Sequence, residues 1–575
     1  MNPSTALAAV MMTQLRAASI TDVVLSPGSR STPLALQLAV AEREGELRLH
    51  VRIDERSAGF LAVGLARGSR RAVAVVCTSG TAVANLAPAV VEASYAGVPL
   101  VVITADRPTH LRNTGANQTI DQVGFFGSQV RHCVDIALGS EHGPPQASWG
   151  PTIARALAAC RTSAGPVQIN LGFADPLIPT EAIEAVAAVE IAPESGGWVK
   201  LAEPINYALG DLGRTEIPAR GVVVVGDVLD AADSVAAVEL AQACGWPIIS
   251  EPSGNALSGP NAITGAQIVL ANEQFFESHS PQIVVTVGRF GISRPTMKLV
   301  KSSDLHLAVD LGGRDRPDPL HTASAILSAV PLPPTADPLL AGLATDAQWL
   351  SDWRSAGEVA AGVIADRLSS TPFGGLTVTA VLLNALGPTD LLFVAASRSV
   401  RDVELLMKPS LTPAQPRIVG NRGASGIDGL TSTAWGIALT QPASSRTFAL
   451  LGDLAFLHDH NGLLAAPGET QPNLTIVVVD NNGGGIFSGL EQGAPEFAAD
   501  FERVFGTPHD LDLATIARAT GLLVSEVAGA QELEAALAAD QTGVHVIISK
   551  VADRETEQAT RNGLFPNARG AKTEN

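Results

Sequence analysis

The chain has 575 residues, 46% of them hydrophobic and 17% charged, with a formal net charge of −19. It is too long for one core, which points to about three or four domains, and too apolar for wholesale disorder. Aromatics are scarce at 4%, so the basic-plus-aromatic signature of a nucleic-acid binder is absent, and any anion site must be a local cluster of arginine and lysine.

At the N-terminus, Ser4 or Thr5 ahead of Leu7, Val10, Met11 and Leu15 reads as a capped amphipathic helix, not a signal peptide. Short apolar runs then alternate with helix-like stretches. Residues 22–27, 73–80, 99–105 and 166–171 form a first group, residues 221–227, 283–288 and 306–311 a second, and residues 391–395, 448–453, 476–482 and 544–549 a third. Continuous apolar runs bounded by Gly, Pro, Asp or Ser are what strands buried on both faces look like. Their alternation with helices predicts parallel α/β sheets. Composition shifts near 180–200 and at the prolines of 330–345 divide the chain into 1–182, 198–335 and 350–560, with a polar, flexible tail at 561–575.

Cys77, Cys133, Cys160 and Cys244 have neither metal-ligand nor redox spacing and read as reduced thiols of a cytoplasmic protein. No apolar run is long enough to span a bilayer.

Ligands of such sheets sit beyond the carboxyl ends of the strands, where this chain carries its polar tags. In the third segment one strand ends in Gly452-Asp453-Leu454, and the next, 28 positions on from Asp453 to Asn481, ends in Asp480-Asn481-Asn482-Gly483-Gly484. That interval is one helix and one strand, so the tags lie side by side. A carboxylate, an amide oxygen and a backbone carbonyl are hard ligands suited to Mg²⁺. The glycines let a diphosphate approach backbone N–H groups. Each tag alone is also an ordinary turn; the pairing carries the signal. His458 and His460 are spaced like a weak zinc pair, and a structural role suits them better.

The paired tags resemble the GDG…NN metal motif of thiamine-diphosphate enzymes, with Leu454 in place of the second Gly. Glu55, at the start of a helix after a strand, matches the carboxylate that meets the cofactor's aminopyrimidine ring and favours its imino tautomer. By itself Glu55 would pass for a first-turn residue complementing a helix dipole. The strings SPGSRSTPL (26–34), TSGTAVANL (78–86), TADRP (104–108), GANQTI (115–120) and NRGASGIDG (421–429), with GDL and DNNGGGIFS, resemble one family more closely. It is the 2-succinyl-5-enolpyruvyl-6-hydroxy-3-cyclohexene-1-carboxylate synthases of menaquinone biosynthesis. The likeness is dense in the first and third segments and thin in the middle one.

The resemblance implies three flavodoxin-like α/β domains (pyrimidine-binding, central and diphosphate-binding) and a transferase that decarboxylates 2-oxoglutarate and adds the succinyl unit to isochorismate. It implies thiamine diphosphate with Mg²⁺ or Mn²⁺, the metal held by Asp453, Asn481 and the carbonyl of Gly483. Glu55 is the implied catalytic residue, and the implied cofactor set is Glu55, Ser397, Gly452, Asp453, Leu454, Asn481, Gly484, Gly485 and Ile486, with Ile427 bracing the bent cofactor. Ser29, Arg30, Arg107, Gln118, Arg294, Ser397, Arg401 and Arg422 are the implied substrate residues, with Ile486, Phe487 and Leu490 as apolar walls. Arginine is the bidentate partner that dicarboxylates need. At Arg294 the pattern is loose, because Pro295 follows where the family can show a second basic residue. The cofactor of this superfamily lies between the first domain of one chain and the third of another, so a homodimer or homotetramer is implied, with no nucleic-acid or membrane partner. An acetolactate synthase or another 2-oxo acid decarboxylase is the alternative within the superfamily. Outside it stands a non-catalytic nucleotide- or flavin-binding protein.

Overall fold

Strands with no polar alternate need cover on both faces, and here they have it. The computed structural model describes residues 2–138, 146–180, 218–332, 346–410, 415–539 and 542–565. The first expected boundary lies largely outside these residues, the second falls mostly on residues that are not described, and of the expected tail only 561–565 is described.

The first sheet contains β1 (Asp22–Leu25), β2 (Arg48–Val51), β3 (Val73–Cys77), β4 (Leu100–Asp106), β5 (His132–Ala137) and β6 (Val167–Gly172), in the order β2-β1-β3-β4-β6-β5. The middle sheet contains β7 (Gly221–Val225), β8 (Ile248–Ser250), β9 (Ile283–Val287), β10 (Leu305–Val309) and β11 (Ala325–Leu327), in the order β11-β10-β9-β7-β8. The third contains β12 (Leu391–Val394), β13 (Arg417–Val419), β14 (Thr447–Gly452), β15 (Leu474–Asp480), β16 (Leu523–Val527) and β17 (Val544–Lys550), in the order β13-β12-β14-β15-β17-β16. All pairings between these strands are parallel. The fold is therefore the expected α/β type, and the first and third sheets share one topology. Each reverses its direction of growth between its first and third strands, β1/β3 and β12/β14, and a crevice opens at such a reversal.

The first and third sheets are joined by two helices, Glu55–Ser69 and Leu430–Ala438, whose side chains belong to one continuous core. Glycine makes the crossing possible. A Cβ on Gly64 would lie 2.2 Å from the Thr433 carbonyl oxygen, and one on Gly436 would lie 2.3 Å from that of Leu61. The joint is completed by polar contacts. Arg56 donates to the His458 carbonyl at 2.7 Å, Asn461 to Asp54 at 3.0 Å, and Arg52 to Glu469 at 3.2 Å. His458 thus sits in an interdomain contact, while His460 bonds the Leu457 carbonyl at 2.8 Å.

One local expectation changes. The first helix, Pro3–Ala17, is capped by Asn2, whose side chain accepts from Thr5 N–H, so the cap lies before Ser4 and Thr5. The long helix Ala347–Ser369 buries Trp349, Trp353 and Ala360 in the core of the middle sheet, and Trp349 Nε1 donates to the Gly221 carbonyl at 2.9 Å.

Candidate active site

The carboxyl ends of the third sheet converge on a cavity of about 410 Å³. After β12 the chain turns through Ser397, which holds φ 70° ahead of the helix Arg398–Leu406. That left-handed conformation is costly for serine and aims the segment at the crevice. After β13 comes the Arg422 loop, held from the first domain. Both oxygens of buried Glu92 accept its N–H groups, from Gly423 at 2.8 Å and Ala424 at 2.6 Å. After β14 come Gly452, Asp453 and Leu454, and after β15 come Asn481 and Gly483–Phe487.

The cavity wall brings together Ser397, Arg401, Arg422, Ile427, Gly452, Asp453, Leu454, Asn481, Gly483, Gly484, Gly485, Ile486 and Phe487. β14 and β15 are neighbours in register, and Gly483 N–H donates to Asp453 Oδ2 at 2.8 Å, so the two tags touch. Asp453 is buried, and its Oδ1 accepts Leu454 N–H at 2.6 Å. Burial pushes this carboxyl above the ordinary range, the nearby Asp480 adds to the effect, and the N–H groups of Gly483 and Leu454 oppose it. A divalent cation is the partner that would offset such burial. The donors available are hard oxygens, so these residues fit Mg²⁺ or Mn²⁺.

Arg401 donates to the Ser397 carbonyl at 2.7 Å. Desolvation and then the nearby Arg422 charge lower its pKa. Two cations held this close favour an anion between them. Behind them lie two acids from different domains. Burial raises the Glu251 carboxyl, and it raises that of Glu404 further with help from the Glu251 charge.

The first-domain residues gather at the matching ends of β1, β3 and β4. Arg30 is buried and donates to the Phe173 carbonyl at 2.9 Å; burial and then the Arg107 charge lower its pKa. Arg107 donates to the Asn117 carbonyl at 2.9 Å. Gln118 exchanges hydrogen bonds with Ser79 at 2.9 and 3.0 Å, and Ser29 is exposed beside Arg30. Glu55 opens its helix behind the cap Asp54 and accepts from Asn85 Nδ2 at 3.2 Å.

None of these first-domain residues lines the third-domain cavity of the same chain. Nor does Arg294, which is exposed and bonds Glu491 at 3.0 Å, or Leu490 beside that glutamate.

Several site residues have no motif to announce them. Arg398, Asp402, Glu557 and Arg561 line the cavity. His509 lies beside the Asp453 tag, its Nε2 3.4 Å from Asp453 Oδ2 and 3.7 Å from Asp480 Oδ1. Its Nδ1 accepts Leu511 N–H at 3.1 Å, which puts the ring proton on Nε2, facing the two carboxylates. Lys550 pairs with Asp480 at 2.6 Å.

The chain also resembles known proteins in sequence and in fold. Residues 5–125 match the model of the thiamine pyrophosphate enzyme N-terminal TPP binding domain, and residues 412–549 that of the C-terminal TPP binding domain. The chain is 44% identical to a 2-succinyl-5-enolpyruvyl-6-hydroxy-3-cyclohexene-1-carboxylate synthase of Thermobifida fusca, over 94% of this chain and 95% of that one. It is 40% identical to one of Saccharopolyspora erythraea, over 99% and 100%. Among solved structures, a protein from Mycobacterium smegmatis described as thiamin diphosphate-dependent superposes with a TM-score of 0.68 at 16% identity, covering 95% of this chain and 99% of that one, a likeness of fold.

Proposed function

The chain belongs to the 2-succinyl-5-enolpyruvyl-6-hydroxy-3-cyclohexene-1-carboxylate synthase family of thiamine pyrophosphate enzymes, and we propose that it joins 2-oxoglutarate to isochorismate with release of CO₂. The observation that carries the reading is the convergence of Asp453, Asn481 and the Gly483–Gly485 turn with Arg401 and Arg422 on one cavity.

Thiamine diphosphate, when bound, would supply a nucleophilic carbon and an electron sink for the decarboxylation of a 2-oxo acid. The chain's own residues do the rest. Asp453, Asn481 and the Gly483 carbonyl would hold Mg²⁺ or Mn²⁺, and Gly452, Leu454, Gly484 and Gly485 would line the place of the diphosphate. Glu55 exchanges a proton with the ring nitrogen of the pyrimidine. Ile427, 37% exposed on the cavity wall, braces the cofactor, while Ser397, Ile486 and Phe487 shape the space above it. The Arg401/Arg422 and Arg30/Arg107 pairs take the substrate carboxylates, because an anion relieves the repulsion within each pair. Ser29, Gln118, Arg294 and Leu490 border these positions.

Since Glu55 and the cavity belong to different domains and do not meet within one chain, a second copy completes each site, in a homodimer or homotetramer. Among the described residues no helix is long and apolar enough to cross a membrane, and the four free cysteines suit the cytoplasm.

The test is CO₂ release from 2-oxoglutarate with thiamine diphosphate and Mg²⁺. Release strongly raised by isochorismate is the expected result. Release from pyruvate instead would move the assignment to an acetolactate synthase.

A further inference from the structure

The side chain of Asn481 has two chemically different ends, and only its oxygen can bind a cation. Its Nδ2 donates to Oε2 of Glu557 at 2.6 Å. A carboxylate only accepts, so this contact admits one orientation of the amide, with the nitrogen on Glu557 and Oδ1 turned away from it. Glu557 is 6% exposed and lines the cavity from the helix Arg554–Asn562. Its other oxygen accepts Gly375 N–H at 2.5 Å, which anchors the carboxylate at the start of the helix Gly375–Ala385.

The surroundings leave the amide little freedom. A Cβ on Gly485 would lie 2.8 Å from Asn481 Nδ2, so the turn is packed directly on the amide. Arg561, one turn along the Glu557 helix, is taken up by Asp402 through two hydrogen bonds, and among the described residues no ion pair draws Glu557 off the amide. We propose that Glu557 is a positioning residue that locks Asn481 in its cation-binding orientation. The proposal rests on the reading that Asp453 and Asn481 hold the divalent ion. A partner outside the ligand set commonly changes metal affinity about 10–100-fold when it is removed.

The experiment titrates Mn²⁺ into the full-length protein with excess thiamine diphosphate and reads free Mn²⁺ by electron paramagnetic resonance. Glu557→Leu is expected to raise the Mn²⁺ Kd about 10–100-fold. Glu557→Gln, whose amide oxygen still accepts from Asn481, should recover most of that loss. Should Glu557→Leu fail to fold, Asn481→Asp serves instead. It sets two carboxylates against each other and should weaken Mn²⁺ binding, and adding Glu557→Gln should restore it.

If Glu557 only anchors the helix at Gly375, its variants will lower the melting temperature and leave Kd unchanged, which overturns the proposal. A wild-type protein that fails to bind Mn²⁺ would remove the cation reading itself, and the proposal with it.

Discussion

The first and third sheets have the same strand order and the same reversal point, yet their crevices differ. In the third, glycines and a buried carboxylate surround a cavity of about 410 Å³. In the first, the strand-end residues bond one another: Gln118 closes on Ser79, and Arg107 on the Asn117 carbonyl. Each crevice holds two arginines close enough for one to depress the other's pKa. On the proposed reading one topology serves twice, as a cradle for metal and diphosphate and as a polar lid carrying Glu55.

The sharpest way to break this division of labour is Glu55→Gln. Turnover should fall about 10²–10⁴-fold while Mn²⁺ and diphosphate binding, read by calorimetry, stay near wild type. Loss of both together would place Glu55 in the cradle and not the lid. Next in size, Arg401→Ala or Arg107→Ala should raise KM for a dicarboxylate substrate about 10–100-fold. Unchanged KM in both would mean that the arginine pairs are structural.

The joint between the two domains predicts smaller effects. A side chain on Gly64 must displace the Thr433 carbonyl, so Gly64→Ala should lower unfolding free energy by about 1–3 kcal/mol, checked by chemical denaturation. A cost near zero would show that the helices part easily. The smallest effect is a slope. Asp459 is fully buried in this joint, accepts from Ser432 N–H at 2.8 Å, and burial pushes its carboxyl up to about 6. The folded state then holds a proton that the unfolded chain has released, so this group costs stability as pH rises from about 4 to about 6. Asp459→Asn should flatten the fall in melting temperature over that window, and an unaltered profile would remove Asp459 from the joint's energetics.

What was legible in the sequence follows the same physics. All eleven apolar runs are interior strands, while β2, β5, β8, β11, β13 and β16, which no run announces, are the sheet edges. An edge strand is short or polar because one side meets solvent: β5 exposes His132 and Asp135, and β16 exposes Leu523 and Glu526. The side-by-side placing of the Asp453 and Asn481 tags was readable because adjacent strands fix their spacing. Glu557 and His509 were not. They reach Asn481 and Asp453 across 76 and 56 positions of chain, from an ordinary polar helix and a loop. Nothing local distinguishes a glutamate that orients an amide from one that faces water.

The most direct test of the central claim co-expresses two differently tagged chains, one carrying Glu55→Gln and the other Asp453→Asn, each inactive alone. If lid and cradle come from different copies, a mixed dimer has one intact site and one doubly altered site, and random pairing should restore about a quarter of the wild-type synthase rate. No recovery in the purified mixed dimer would contradict the account, because it would mean that each chain builds its site from its own Glu55 and Asp453.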